Sequence, residues 1–112
     1  IRLNPTGKEI PIFKDILHKS KQIVSGWGGQ LYLVYLPDYN LYSRGNKHRS
    51  REYVMQVATK LEIPIIDIHK EVFEMHQDPV SLFPFRIKGH YNAEGYRLIA
   101  EKIGKRFKID GF

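Results

Sequence analysis

An α/β fold is expected for this chain, with a small parallel sheet and the element order α-β-α-β-α-α. Two observations predict it. The runs 31–36 and, apart from Pro64, 63–66 are apolar and of strand length, which fits strands covered on both faces. Helical patterns stand before, between and after them, and helices alternating with such strands imply parallel strands joined by crossovers.

Residues 1–10 are polar, with Pro5 and Gly7, and read as a lead-in segment. From Pro11 the pattern turns helical: Ile12, Phe13, Ile16, Leu17, Ile23 and Val24 fall on one face, with Lys14, Lys19, Lys21 and Gln22 opposite. Proline suits a first helical position. Gly26, Gly28 and Gly29 then end the helix, because glycine takes the left-handed conformation a C-terminal cap uses. The first strand, 31–36, stops at Pro37. A polar, aromatic loop spans 38–48. The second helix, 50–61, turns Tyr53, Val54, Val57, Ala58 and Leu61 inward. Pro64 puts the second strand, 63–66, at an edge or makes it the strand's first residue. Asp67 is placed to cap a short helix over 68–75. A long loop with Pro79 and Pro84 covers 76–92. The last helix, 93–107, is capped by Asn92 and turns Tyr96, Ile99, Ala100, Ile103 and Phe107 inward.

At 112 residues the chain is a single domain. Two strands make a very small parallel sheet, so residues 1–112 are expected to be the C-terminal part of a larger α/β domain, or to complete the sheet with another chain. There is no cysteine, which excludes disulfides, thiolate catalysis and cysteine metal sites within these residues. No apolar run approaches the roughly 18 residues that span a bilayer. The net charge of +6 permits acidic partners. Its densest cluster is Arg44, Lys47, His48, Arg49 and Arg51, and reads as a solvated loop and helix start. No nucleic-acid motif accompanies it, so nucleic acid is not an expected partner.

In open α/β sheets ligands bind beyond the carboxyl ends of the strands. Three places here qualify: Asp38-Tyr39-Asn40, Asp67, and the loop with Asp78, Arg86 and His90. His90 is the catalytic candidate, a base able to take a serine proton. The plain alternative is a histidine hydrogen-bonded to backbone. Asp67 and Asp78 are candidate orienters of that histidine, or a helix cap and a turn residue. Arg86, with Lys88, is a candidate holder of an anionic substrate, or is simply exposed. His69 and His76 share a face of the short helix, but no third ligand converges on them, so no metal is expected.

The runs Leu31-Tyr32-Leu33-Val34-Tyr35-Leu36-Pro37, Ile65-Ile66-Asp67-Ile68 and Gly89-His90-Tyr91-Asn92-Ala93-Glu94-Gly95-Tyr96, with Ile99-Ala100-Glu101, resemble the C-terminal half of SGNH (GDSL-like) hydrolases. The resemblance covers residues 11–107. It implies a flavodoxin-like three-layer α/β/α sandwich and a serine esterase, lipase or acyltransferase without metal or organic cofactor. It makes His90 the general base toward an ester or acyl substrate, with Arg86 and Asn92 as candidate substrate contacts. Two features depart from the family. The Gly-Asp-Ser nucleophile motif and the glycine and asparagine oxyanion blocks are absent from this chain, so they are expected on a missing N-terminal segment. Ile87 stands where the family usually has the aspartate, which leaves Asp78, Asp67 or a Ser–His dyad. A non-catalytic α/β binding or assembly module is the alternative reading.

Overall fold

The computed structural model of the protein describes residues 11–45 and 49–112. The lead-in 1–10, and Lys47 and His48 of the basic cluster, lie outside the described residues. The described elements are α1 (Pro11–Gly26), β1 (Leu33–Tyr35), α2 (Asn40–Ser43), α3 (Arg49–Lys60), β2 (Ile65–Asp67), a wide helical turn (His69–Phe73), two 3₁₀ turns (Pro79–Leu82 and Pro84–Arg86) and α4 (Ala93–Ile109). The strands pair as a two-stranded parallel sheet. The mixed helical character with a small parallel sheet is thus as the sequence predicts.

The chain divides into two compact units, Ile1–Leu33 with His48–Ile65, and Val34–Lys47 with Ile66–Phe112. The first is held by Phe13 of α1 with Tyr53 and Val57 of α3, flanked by Leu17, Val54 and Leu61. The Phe13 and Tyr53 rings lie 5.7 Å apart, a distance at which aromatic pairs attract beyond their buried area. At the end of α3, Lys21 donates its ammonium to the carbonyls of Leu61 (2.5 Å) and Glu62 (3.3 Å). A cation there satisfies carbonyls that the helix leaves open. The inner face read for the second helix is the buried one.

The second unit is built on aromatics. Phe73 and Phe83 are fully buried, and Tyr91 is 8% exposed. Phe73 lies 5.9 Å from Phe83 and 5.4 Å from Tyr91, and Phe83 lies 5.3 Å from Tyr91. Tyr42 stacks on Phe73 at 4.9 Å.

Four expectations are corrected. Both strands are three residues long rather than six and four. β1 is half-buried throughout, because among the described residues each strand has one neighbour, and a two-stranded sheet offers little surface to cover. The loop 38–48 contains α2. The short helix ends at Phe73, so His76 lies beyond it and shares no helical face with His69.

Helix faces also differ. On α1, Phe13 is buried while Ile12, Ile16 and Ile23 are exposed. On α4, Gly95 and Ile99 are buried, whereas Tyr96, Ala100 and Phe107 are exposed. Gly95 decides that rotation. A β-carbon there would stand 3.0 Å from the Leu82 carbonyl oxygen and 3.0 Å from the Tyr91 β-carbon. Only a bare backbone allows the turn to approach so closely. Alanine at a helical glycine ordinarily stabilises by roughly 0.8–1 kcal/mol. Here the contacts reverse the sign: Gly95→Ala destabilises by about 1–2 kcal/mol in urea unfolding, the scale of an overpacked site.

Candidate functional site

The site is built around the start of α4. Asn92 has extended backbone and caps the helix: its side-chain oxygen accepts from the Gly95 N–H at 2.9 Å. Its amide nitrogen donates to the Ser81 carbonyl at 2.7 Å. Its backbone N–H donates to the Leu82 carbonyl at 2.8 Å. Both ends of the side chain therefore hold backbone, which gives Asn92 a positioning role.

His90 sits immediately before this cap and is exposed. Its Nδ1 lies 2.7 Å from the Tyr91 carbonyl oxygen. A carbonyl only accepts, so Nδ1 carries the proton and Nε2 is left with the lone pair in the neutral ring. That is the tautomer a general base needs. Here a backbone carbonyl selects it, where catalytic triads use a carboxylate.

The candidate carboxylate orienters are engaged elsewhere. Asp78 receives a two-pronged hydrogen bond from Arg86, at 2.5 and 3.2 Å. The Arg86 guanidinium holds the Asp78 carboxyl below its ordinary value, and Asp78 in turn raises Arg86. Both side chains of the pair remain exposed. Asp67 ends β2, and its Oδ1 faces the Lys70 N–H at 3.4 Å, a long contact of the capping kind expected for it.

Three tyrosines tie the three strand-end segments together within the second unit. Tyr39, just after β1, donates its hydroxyl to the Arg86 carbonyl at 2.9 Å and sets its ring edge-on to Phe83 at 5.1 Å. Tyr91 donates to the Pro37 carbonyl at 2.5 Å. Burial pushes the Tyr91 phenol above its ordinary value, so it stays a donor across the physiological range. Tyr42 meets His69 Nδ1 at 2.8 Å through its hydroxyl, joining α2 to the segment after β2. The sequence marks these tyrosines only as aromatic. The partners of Tyr39 and Tyr91 are backbone carbonyls, which carry no residue signature.

The loop before His90 is strained and pinned. Phe85 (φ 54°) and Arg86 (φ 59°) are consecutive left-handed residues, a conformation costing about 1–3 kcal/mol at each non-glycine position. The Asp78–Arg86 pair and the Tyr39–Arg86 bond hold it. Phe85 is 93% exposed and Ile87 59%.

A recess of about 230 Å³ lies elsewhere, lined by Ile66, Glu71, Lys102, Lys105, Arg106 and Ile109. Lys102 stands roughly 14 Å along the helix from the start of α4. The recess contains neither a histidine nor a nucleophile. Among the described residues no three His, Asp or Glu side chains gather to hold a metal. No family model, curated protein or solved structure matches the chain.

Two measurements check this geometry. Asp78 titrates below 3.8 by carboxyl ¹³C NMR, and Arg86→Leu returns it toward that value. Because the folded pKa is the lower one, the pairing is fully present above pH 3.8 and is lost as pH falls through the lowered midpoint. ¹⁵N NMR of neutral His90 shows the proton on Nδ1; a proton on Nε2 contradicts the Tyr91 carbonyl contact.

Proposed function

We propose that these residues form the C-terminal part of an SGNH-type serine ester hydrolase or acyltransferase, a three-layer α/β/α sandwich when complete, in which His90 is the general base. One observation carries the reading. His90 is exposed beside the capped start of α4 and is held in the tautomer that leaves Nε2 ready to accept a proton.

In this reading the serine nucleophile and the oxyanion donors come from outside residues 1–112. Nε2 takes the serine proton as the serine oxygen attacks the ester carbonyl carbon. The imidazolium returns that proton to the departing alkoxide. A water molecule, or an acceptor alcohol in transfer, then repeats the sequence on the acyl-enzyme. The Tyr91 carbonyl supports the imidazolium as a neutral acceptor and supplies orientation without a full counter-charge. Asp78 and Asp67 hold loop and helix start. Arg86 acts through Asp78, as a strut of the loop.

The alternative reading, a non-catalytic assembly module, draws support from the exposed apolar residues of α1 and from the one neighbour of each strand among the described residues. The two readings separate by experiment. In the full gene product, His90→Ala lowers kcat/KM for a short p-nitrophenyl ester by about 10³-fold or more, the scale of losing a catalytic base, with an unchanged circular dichroism spectrum. The chain of residues 1–112 alone does not turn the ester over. An unchanged rate in the variant removes the catalytic reading.

A further inference from the structure

The recess between the wide helical turn and the C-terminal half of α4 is a concave feature that the candidate site does not use. It measures about 230 Å³ and is lined by Ile66, Glu71, Lys102, Lys105, Arg106 and Ile109. All six residues belong to the second unit. Ile66 of β2 is 3% exposed and supplies an apolar floor, while Ile109 is 72% exposed. Three of the six side chains are cations and one is a carboxylate, so the lining is positive on balance.

The needs of the helix do not explain that balance. Lys102, Lys105 and Arg106 stand at i, i+3 and i+4, where side chains are neighbours and like charges destabilise a helix. The arginines of α4 have carboxylates: Arg97 pairs with Glu94 at 2.6 Å and with Glu101 at 3.1 Å, and Arg106 pairs with Asp110 at 3.0 Å. Among the described residues no carboxylate pairs with Lys102 or Lys105. Glu101 stands four residues before Lys105, the favoured spacing for a pair, but its carboxylate turns to Arg97. The helix dipole favours cations within the last turn. Lys102 lies nearly two turns before Ile109, where α4 ends.

Two ammonium groups without a carboxylate, at one hollow, suit a compact anion of more than one charge. A phosphate group has that charge and several strong acceptor oxygens for ammonium donors. Inorganic phosphate alone leaves Ile66 and Ile109 without a partner, and an apolar group covers such surface favourably. We propose that this recess binds a small phosphate monoester, with its phosphate on Lys102 and Lys105 and its organic group over Ile66 and Ile109. A nucleic-acid strand fits less well, because its backbone is tracked by an extended positive groove, whereas these cations gather at one hollow. Glu71 opposes the anion and limits its affinity. The inference stands apart from the catalytic reading, because His90 does not line the recess.

The test titrates phenyl phosphate into the chain of residues 1–112 at fixed ionic strength, read by calorimetry and by amide ¹H–¹⁵N NMR. One saturable site appears, with shifts concentrated at Ile66, Glu71 and residues 102–109, and phenyl phosphate binds more tightly than inorganic phosphate. Lys102→Gln and Lys105→Gln each weaken binding by about tenfold or more, the loss of one charge-assisted hydrogen bond. Glu71→Gln tightens it. Lys19→Gln removes the same charge from an exposed position on α1 and leaves binding unaltered. All four variants keep the circular dichroism spectrum, since none of these side chains is buried. The absence of saturable binding at millimolar phenyl phosphate overturns the proposal. Equal weakening by Lys19→Gln and Lys102→Gln also overturns it, because binding then follows net charge alone. Equal affinities for phenyl and inorganic phosphate overturn the part given to Ile66 and Ile109. A short single-stranded oligonucleotide that shifts the same amides at lower concentration overturns the proposal in favour of nucleic acid.

Discussion

The contact between the turn at residues 81–83 and the first turn of α4 is the constraint on which the second unit depends. Asn92 binds that turn twice, through Ser81 and Leu82, and caps the helix with its remaining oxygen. The approach is so close that the helix can present only a glycine to it. Phe83 and Tyr91 are carried into the aromatic cluster by the same geometry. Buried polar groups must be satisfied, and here one asparagine side chain satisfies a helix start and a loop carbonyl at once. Its loss would leave orphaned groups on both sides.

His90 inherits its position from this clamp. It stands between a pinned, strained loop and a buried tyrosine whose hydroxyl is fixed to Pro37. The His90 side chain is exposed. If His90 is the base that is proposed, holding it in position before the reaction is how proximity lowers the barrier. In the proposed reading the Tyr91 carbonyl beside Nδ1 stabilises an imidazolium less than a charged carboxylate would. The Asp78 charge serves the loop instead, where it neutralises Arg86.

The first unit has the opposite character. Its core is short, centred on Phe13, Tyr53 and Val57, and it leaves half of the α1 apolar surface outside. Each strand has one neighbour among the described residues. A parallel sheet is stable when both faces are covered, and three-residue strands with half-buried side chains fall short of that. The unit therefore retains apolar surface on α1.

The sequence by itself determined where α1 stops and where α4 starts, since those signals are local. Pro11 opens α1, Gly28 in the left-handed conformation closes it, and Asn92 caps α4. It also determined that His90 stands just ahead of a capped helix. Tertiary structure alone decided which part of each apolar face is buried. Periodicity marks a face wider than the contact that covers it, and the rotation of α4 was set by the approach of Leu82 to Gly95. It alone decided the fate of the charges as well. Asp78 and Arg86 lie eight residues apart and meet because the intervening chain folds into two 3₁₀ turns. The tautomer of His90 rests on a backbone carbonyl, and backbone atoms are the same at every position of a sequence.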